Sequence, residues 1–466
     1  MERWQNQEEA VQFALSHPSV MLDMDMGTGK TRVALDVMFS RQDVRKVLIV
    51  CPKAVIPVWR INLEKFHNYD RYVCWDDQNG TIKNKAKRIE EWLATHEEIA
   101  SISKMFVVVN YDIVWRTELG DFIYKRAGFD AIILDESHRA KAAGSKVSKF
   151  LGMVGKHTRY KMCLSGTPMA NSPLDVYGQY RFLDNTIFGT NYNVFEQNYA
   201  IKGGPDLRFV VGFKNQRDLQ EKFASIAYTC KMQDIADRLK LPPELPPVCR
   251  EVQLSASDTK ILKDLSKEFI AECGTGNVVV NNMLTKLLRM QQITSGFCQV
   301  VDAPGEDPRL EELNTAKQDA LSEILSDVSP LASVVVFCVF RHDIGVVRSV
   351  ATEGKRKAFE ISGDKNELVE WQSEEGAVLV VQIQAGAEGI DMTKANHAIY
   401  YSLPHSLALY NQSKARLYRP GQQNPVSFIH LIAKKTVDEA MYRSLEQKKD
   451  IIDAVKSGTF DFGYMK

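Results

Sequence analysis

The sequence predicts an α/β fold with two parallel-sheet domains in tandem and helical elaborations on both. In the first half, short apolar runs alternate with helical stretches, and we predict strands at Val20–Met24, Lys46–Val50, Met105–Asn110, Asp130–Leu134 and Tyr160–Leu164. The second half repeats this alternation, with strands predicted at Val334–Phe340, Ala377–Ile383, Ala398–Tyr401 and Val426–Ile432. Nearly continuous apolar runs are typical of parallel strands that are buried on both faces. Their alternation with helices indicates doubly wound units.

A proline-rich run separates the two halves. The segment LPPELPP at 241–247 contains four prolines, which cannot join a helix or a central strand, and it is therefore predicted to be stiff and extended. We assign a first domain to 1–240, a linker to 241–248 and a second domain to 249–466. Helical segments without β-rich runs are predicted near 173–239 and 257–293, and a charged helix near 437–457 closes the chain.

Composition narrows the class of protein. The 466 residues carry 59 Lys and Arg against 59 Asp and Glu, so any nucleic-acid partner must be held by local basic surfaces. The eight cysteines form no CxxC pair, which argues against a zinc site or a disulfide framework and fits a reducing cytoplasm. No apolar run is long enough to span a membrane, and the first residues, MERWQNQEEA, do not resemble a signal peptide.

A phosphate-binding loop is predicted directly after the first strand. The sequence from Asp25 to Thr31 reads DMGTGKT and leads into a helical pattern. In this context Gly27, Thr28 and Gly29 would let backbone N–H groups close around phosphate oxygens at a helix N-terminus. Lys30 would reach the β- and γ-phosphates, and the Thr31 hydroxyl would bind Mg²⁺. Met24 stands where the strict pattern has its first glycine, so the loop is a variant.

An acidic pair follows the strand that contains AIIL. Asp135 and Glu136 begin the sequence DESH, and carboxylates at this end of a parallel strand point into the crevice where ligands of α/β proteins bind. We predict that Asp135 holds Mg²⁺ and that Glu136 orients and deprotonates the attacking water. Together with the phosphate loop, the pair indicates hydrolysis of a nucleoside triphosphate.

The motif set as a whole resembles the superfamily 2 helicase-like ATPases, most closely the SWI/SNF branch in a compact bacterial or phage form. The resemblance covers nearly the whole chain and implies two RecA-like domains. It implies that Gln7 reads adenine and that Ser165–Pro168, reading SGTP, couples hydrolysis to domain movement. Cys51-Pro52 with Trp59, and Asn110-Tyr111, resemble segments that contact the nucleic-acid backbone. The basic stretch 139–149 after DESH either continues that surface or is a solvated helix face.

The second half carries the remaining motifs of the resemblance. Residues 384–391, reading QAGAEGID, resemble a glycine-rich motif at the domain interface and include Gly389. Gln412, Arg416, Arg419 and Gly421-Gln422 match the closing motif Q-x3-R-x2-R-x-GQ. The family pattern implies that Gln412 and Gly389 contact ATP and that the two arginines act as arginine fingers. Their spacing of three predicts that both lie on one face of a helix.

The resemblance implies an ATP-dependent motor that uses Mg²⁺ and moves on double-stranded or branched DNA in replication, recombination or repair. It would grip the DNA backbone without reading sequence. Two alternatives stay open: a strand-separating DNA or RNA helicase of the same superfamily, and an ATP-regulated nucleic-acid-binding scaffold. We expect a cytoplasmic protein, in the host cytoplasm if phage-encoded, with no membrane partner. The sequence identifies no protein partner.

Overall fold

The computed structural model describes residues 3–67, 71–97, 103–169, 172–203, 209–274, 280–300, 309–386, 390–447 and 451. The chain divides into two compact units, Met1–Lys240 and Leu241–Lys466. Each unit is an α/β structure built on one parallel sheet. Among the described residues, none of the helices has the length and apolar character that crossing a membrane requires.

The first unit contains a seven-stranded parallel sheet in the order β3-β4-β2-β5-β6-β1-β9. Its strands are β1 (Ser19–Met24), β2 (Lys46–Cys51), β3 (Tyr72–Trp75), β4 (Lys104–Asn110), β5 (Ala131–Asp135), β6 (Tyr160–Ser165) and β9 (Ala227–Cys230). Two further strands, β7 (Ala200–Gly203) and β8 (Phe209–Phe213), pair separately and antiparallel. The central strands are buried along almost their whole length, as the continuous apolar runs predicted.

Helices cover both faces of this sheet. They are α1 (Gln5–Leu15), α2 (Lys30–Ser40), α3 (Ile56–Phe66), α4 (Ile82–Thr95), α5 (Thr117–Lys125), α6 (Lys146–Gly155), α7 (Val176–Leu183), α8 (Tyr192–Tyr199), α9 (Gln216–Ala224) and the short α10 (Met232–Ile235). The amphipathic pattern of α5 shows why they dock: Leu119, Phe122 and Ile123 are buried in the core, while Thr117 and Asp121 face outward.

The second unit contains a six-stranded parallel sheet in the order β10-β17-β16-β13-β15-β14. Its strands are β10 (Val248–Val252), β13 (Val334–Cys338), β14 (Ala358–Ile361), β15 (Val378–Gln382), β16 (His397–Tyr400) and β17 (Ser427–Ala433), and β11 (Phe297–Val300) pairs antiparallel with β12 (Arg309–Glu312). Along β13, alternate residues enter two different core clusters, so both faces of the sheet are covered.

The helices of the second unit are α11 (Ala256–Gly274), α12 (Val280–Thr294), α13 (Ala316–Asp327), α14 (Arg341–Glu353), α15 (Leu368–Ser373), α16 (Ile383–Gly386), α17 (Leu407–Leu417) and α18 (Val437–Glu446). The predicted helical segment at 257–293 corresponds to α11 and α12. The closing helix was predicted to reach residue 457, whereas α18 ends at Glu446. Residues 448–450 and 452–466 lie outside the described part of the chain.

The proline-rich run is extended and is bonded to the second unit. The backbone N–H of Leu245 donates to the carbonyl of Val426 at 2.9 Å, and the N–H of Val426 donates to the carbonyl of Pro243 at 3.2 Å. Glu244 forms an ion pair with Lys414 of α17. The centre of the predicted linker is therefore attached to α17 and to the residue before β17.

The segment 173–239 differs from the prediction of helices alone. It contains α7 to α10, but also the hairpin of β7 and β8 and the sheet strand β9. The sequence of β9, AYTC, is short and half polar because the strand lies at the edge of the sheet, where only one side pairs with a neighbour. Such a strand lacks the continuous apolar run on which the other predictions relied.

Candidate active site

Three neighbouring strands of the first unit end in the three predicted motifs. β5, β6 and β1 lie side by side in the sheet. Asp135 is the last residue of β5, Ser165 is the last residue of β6, and Asp25 follows β1 directly. Because parallel strands share one carboxyl edge, the acidic pair, the SGTP segment and the phosphate loop gather at that edge.

The phosphate loop has the backbone that its glycines predict. Gly27 and Gly29 have φ angles of 80° and 93°, in a region that favours glycine, and Gly29 is the residue preceding α2. The Thr28 hydroxyl donates to the carbonyl of Asp25 at 2.6 Å and closes the loop on itself. The variant residue Met24 is still part of β1, so the turn begins one residue later and needs no glycine there.

Lys30 lies against the base of its own loop. Its Nζ donates to the carbonyl of Met24 at 2.7 Å and to the carbonyl of Asp25 at 3.2 Å. Lys30 and Thr31 form the first turn of α2, whose N-terminus faces the loop. The ammonium group is therefore within the loop, where an anion held by the backbone N–H groups would meet it.

Gln7 is brought to this loop by α1. Its Nε2 donates to the carbonyl of Thr28 at 3.4 Å, and its Oε1 accepts from the backbone N–H of Trp4 at 3.1 Å. Asn6 donates to the same Thr28 carbonyl at 3.3 Å. A Cβ atom on Gly29 would lie 2.1 Å from Gln7 Nε2, so the glycine is required for this close approach as well as for its φ angle.

Asp135 is held from two sides by aromatic residues. The indole Nε1 of Trp59 donates to Asp135 Oδ2 at 3.0 Å, and the hydroxyl of Tyr111 donates to the Asp135 carbonyl at 2.8 Å. Burial and the neighbouring charge of Glu136 raise the pKa of the Asp135 carboxyl, while Lys30 and the Trp59 hydrogen bond oppose that rise. The carboxylate is thus held in a fixed orientation. The positive charge near it does not offset the effects of its burial and of Glu136.

One expectation concerned contacts to the nucleic-acid backbone. The segments at Cys51-Pro52 with Trp59, and at Asn110-Tyr111, resemble segments that make such contacts, and the side chains of these five residues are buried. Trp59 and Tyr111 support the acidic motif. The resemblance located the segments, but the direction in which each side chain points depends on packing between α3, β4 and β5.

Glu136 is held in an unusual conformation. Its φ angle is 49°, in the left-handed region, which costs a non-glycine residue about 1–2 kcal/mol. Its Oε2 is buried and, within the described part of the chain, accepts no hydrogen bond, while His138 Nδ1 lies 3.5 Å away. Strain of this kind is found at sites where the surrounding structure fixes a functional side chain. A carboxylate oxygen with unused acceptor capacity is suited to bind and deprotonate a water molecule.

The SGTP segment contacts both other motifs. Gly166 lies close to the phosphate loop, since a Cβ there would be 3.4 Å from the Met24 carbonyl. His138 Nδ1 is 3.3 Å from the Ser165 hydroxyl. Burial lowers the pKa of His138, which favours the neutral imidazole. The three motifs therefore form one connected group of residues.

Gln179 is a contributor that the sequence did not reveal. It is fully buried on α7, its Oε1 accepts from the Ser137 hydroxyl at 2.7 Å, and its Nε2 donates to the carbonyl of Pro168 at 2.8 Å. It thereby ties DESH to SGTP. The only signal in the sequence is an amide residue in a largely apolar helix, which is too common to have identified it.

Two lysines of the basic stretch after DESH form local contacts. Lys141 forms an ion pair with Asp175 at 3.1 Å, and the ammonium of Lys146 lies 5.2 Å from the centre of the Trp115 ring. Lys146 and Lys149 are nevertheless exposed on α6.

The chemistry of Asp135 suits a Mg²⁺ ion that arrives with a nucleotide, and the hydroxyl of Thr31 would be a second oxygen ligand. Among the described residues, no group of three or more His, Cys, Asp or Glu side chains is arranged to hold a metal by itself. Asp135 offers a hard oxygen ligand, and a nearby cation would stabilise its charged form against the burial and the charge of Glu136 that raise its pKa. The remaining ligands would come from the nucleotide and from water.

In the second unit, the closing motif begins on α17 and continues past its end. Gln412 is buried on α17 and Arg416 lies in its last turn. The helix ends at Leu417, so the prediction that Arg416 and Arg419 share a helix face is wrong. Arg419 precedes Pro420, whose ring disfavours helical backbone at the residue before it, and Gly421 has a φ of 107°.

The closing motif contacts the end of the glycine-rich motif and the residues that follow it. The N–H of Met392 donates to the Arg416 carbonyl at 3.1 Å, and Arg419 Nη1 donates to the Ile390 carbonyl at 3.5 Å. Gln422 donates to the carbonyl of Ala395 at 2.9 Å. Gly389 lies outside the described residues. Within this unit, Arg416 and Arg419 are thus anchored on the same stretch of chain although they do not share a helix.

Two family profiles together match most of the chain. The sequence profile of the SNF2-related domain matches residues 3–298, well over half of the chain, and that of the helicase conserved C-terminal domain matches 316–421. The solved Sulfolobus solfataricus SWI2/SNF2 ATPase core in complex with dsDNA covers 98% of this chain and 94% of that chain, with 19% identity and a TM-score of 0.44.

Related proteins come from animals and from a phage. A SWI/SNF-related matrix-associated actin-dependent regulator of chromatin subfamily A-like protein 1 homolog from Caenorhabditis elegans is 25% identical over 98% of this chain and 62% of its own. The human DNA repair and recombination protein RAD54B is 22% identical over 92% of this chain and 51% of its own. The putative protein p41 of Acyrthosiphon pisum secondary endosymbiont phage 1 is 25% identical over 92% of both chains. The chain thus spans less than two thirds of the length of the two animal proteins. Because the SNF2-related profile matches well over half of it, the chain belongs to the SNF2-related family, the SWI/SNF branch of the superfamily 2 helicase-like ATPases.

Proposed function

We propose that this protein is a DNA-dependent ATPase that couples hydrolysis to movement along duplex or branched DNA. The observation that carries the proposal is the convergence of Lys30, Glu136 and Ser165 at adjacent strand ends of one sheet. A lysine in a phosphate loop, a carboxylate whose buried Oε2 accepts no hydrogen bond among the described residues, and a segment beside both support phosphoryl transfer to water.

In this proposal each residue of the first unit has one task. Gln7 recognises adenine beside the loop, and Gly27, Thr28 and Gly29 present backbone N–H groups to the phosphates. Lys30 neutralises charge on the β- and γ-phosphates, and Glu136 accepts a proton from the attacking water. Mg²⁺ bound with ATP would be held by Asp135 and Thr31 and would neutralise charge on the phosphate oxygens.

The second unit is proposed to complete the reaction. Arg416 and Arg419 would stabilise the charge that develops on the transferred phosphoryl group, while Gln412 and Gly389 would contact the nucleotide. Arginines that act mainly in the transition state make hydrolysis dependent on the position of their unit. DNA that binds both units would in this way control the rate, and each cycle would shift the grip on its backbone.

The family and the names of its relatives support the proposed DNA partner and pathway. The human relative is named as a DNA repair and recombination protein, and we propose a role in replication, recombination or repair for this chain. The similarity to a phage protein over 92% of both chains favours a cytoplasmic site of action, in the host cell if the protein is phage-encoded. Binding through phosphates would be insensitive to sequence and would weaken steeply with salt.

One experiment separates the three candidate functions. ATP turnover is measured with single-stranded DNA, duplex DNA, forked DNA and RNA side by side, together with displacement of the third strand of a triplex and unwinding of a tailed duplex. A translocase gives stimulation by duplex or forked DNA and triplex displacement without unwinding. Robust unwinding would indicate a strand-separating helicase, and nucleotide binding without turnover on any nucleic acid would indicate a scaffold.

A further inference from the structure

A lysine directly after the edge strand of the first unit lies against the base of the phosphate loop. Lys231 directly follows β9, which pairs parallel with β1. Its Nζ donates to Asp23 Oδ1 at 2.9 Å and lies 3.6 Å from Asp25 Oδ1. Asp23 is in β1 and Asp25 is the first residue of the loop. One ammonium group therefore lies close to two carboxylates, one on each side of Met24 in the sequence.

The same strand is bonded to the loop by its backbone. The N–H of Asp25 donates to the carbonyl of Cys230 at 2.9 Å, which extends the pairing of β1 and β9 into the loop. The N–H of Met232 in turn donates to Asp25 Oδ2 at 2.9 Å. The Thr229 hydroxyl donates to Asp23 Oδ2 at 3.3 Å. Asp25, whose carbonyl also accepts from Lys30 and Thr28, is therefore fixed from both sides.

Charge explains why this arrangement matters for a nucleotide. Asp23 is only 10% exposed, so its negative charge is poorly screened by water. Two carboxylates at the base of a loop that receives a triphosphate would repel it, and the loop's own cation, Lys30, is required for the phosphates. Burial lowers the pKa of Lys231, but the charges of Asp23 and Asp25 outweigh that effect and raise it, so the compensating cation stays charged.

We propose that Lys231 is a positioning residue of the nucleotide site: it neutralises Asp23 and Asp25 and holds the phosphate loop in the form that accepts ATP. The inference rests on the proposed function, because it concerns the same nucleotide. In this role Lys231 needs no contact with the γ-phosphate. It acts on the affinity of the loop and leaves the chemical step to Lys30 and Glu136.

The test measures binding and turnover separately. Lys231→Met should weaken binding of a fluorescent ATP analogue and raise KM for ATP by about tenfold, with kcat at saturating ATP within about threefold of the parent. Lys231→Arg, which keeps the charge, should bind ATP nearly as well as the parent. Asp23→Asn combined with Lys231→Met should recover most of the lost affinity, because the repulsion is removed together with its counter-charge.

A matched control distinguishes this role from general stabilisation. Lys222 pairs with Asp218 on α9 of the same unit, and Lys222→Met should leave KM unchanged. If Lys231→Met lowers the melting temperature but binds ATP as the parent does, the residue is only a structural tie and the inference is wrong. A parent protein that binds no ATP analogue would instead overturn the proposed function.

Discussion

The indole of Trp59 donates a hydrogen bond to the Asp135 carboxylate, with 3.0 Å between Nε1 and Oδ2, and both side chains are buried. Trp59 lies on α3, and Asp135 ends β5. The bond fixes one carboxylate oxygen, and the N–H of Glu136 donates to the other at 3.0 Å. The orientation of the acidic pair thus depends on a residue outside the pair's own segment.

We expect Trp59→Phe to slow hydrolysis without abolishing ATP binding. Phenylalanine keeps much of the buried surface but lacks the indole N–H that donates to Asp135. A hydrogen bond to a charged group contributes about 1.5–3 kcal/mol, which corresponds to a loss of roughly tenfold or more in kcat. Steady-state turnover with saturating duplex DNA measures the effect.

Trp92→Phe is the control for that substitution. Trp92 is a half-buried tryptophan on α4 of the same unit and makes no hydrogen bond to Asp135. Its replacement should leave kcat within about twofold of the parent, since no group near the acidic pair changes. Equal turnover in both variants would show that the Trp59 bond does not orient the carboxylate for hydrolysis.

Gly29→Ala should abolish ATP binding. The φ of 93° strains any side chain, and the added methyl group would meet Gln7 Nε2 at 2.1 Å. Either the loop or Gln7 must move, and both belong to the proposed nucleotide site. Equilibrium titration with an ATP analogue measures the loss.

Gly80→Ala separates the clash from backbone strain. Gly80 has a similar φ of 84°, but its nearest neighbour within reach of a new Cβ is Asn84 Cβ at 3.8 Å. This variant should lose about 1 kcal/mol of stability and keep the parental affinity for ATP. Parental affinity in Gly29→Ala as well would remove Gln7 and the loop from the nucleotide site.

Glu136→Gln should retain nucleotide binding and lose hydrolysis. The substitution keeps the shape of a side chain that is held at a φ of 49° and removes its ability to accept a proton. General base catalysis contributes roughly 10²–10⁴-fold to a rate, and we expect a loss in that range. Single-turnover hydrolysis of bound ATP is the measurement, and a parental rate would transfer the task of activating water to another residue.

The strands that carry the site were predictable because burial leaves a simple pattern. β1, β2, β4, β5 and β6 are apolar over most of their length, and β1, β5 and β6 lead directly into the phosphate loop, DESH and SGTP. Trp59, Tyr111 and Gln179 were not assigned their roles because each acts on a partner far away in the chain. Periodicity identifies which residues are buried, but it does not identify which polar atom a buried side chain meets.

The end of α17 shows a second limit of the sequence. A spacing of three between Arg416 and Arg419 predicts one helix face, yet Pro420 and Gly421 stop the helix first. This stop signal is local and is present in the sequence, but a spacing of three residues by itself takes no account of it. β9 was missed for a different reason, since an edge strand of four residues has no distinctive pattern.

Replacing either arginine of the closing motif should slow ATP hydrolysis and leave the affinity for ATP nearly unchanged. Arg416→Ala and Arg419→Ala each remove a guanidinium group. The backbone carbonyl of Arg416 accepts from Met392, and the side chain of Arg419 donates to the Ile390 carbonyl. They lie in the second unit, whereas the phosphate loop lies in the first. We therefore expect each variant to bind an ATP analogue within about threefold of the parent. DNA-stimulated turnover should fall by roughly 10³–10⁵-fold, the range known for arginine fingers.

Lysine at either position and alanine at a surface arginine are the control substitutions for the arginine-finger prediction. Lysine lacks the planar fork that grips two phosphate oxygens, so Arg416→Lys and Arg419→Lys should restore little turnover. Arg443→Ala on α18 is the matched control, because this arginine pairs with Glu439 on the exposed face of the same unit. It should hydrolyse ATP as the parent does. Because Arg419 lies beyond the end of α17 and Arg416 within it, the two losses need not be equal. If both alanine variants keep DNA-stimulated turnover within a few-fold of the parent, the second unit contributes no arginine to the transition state.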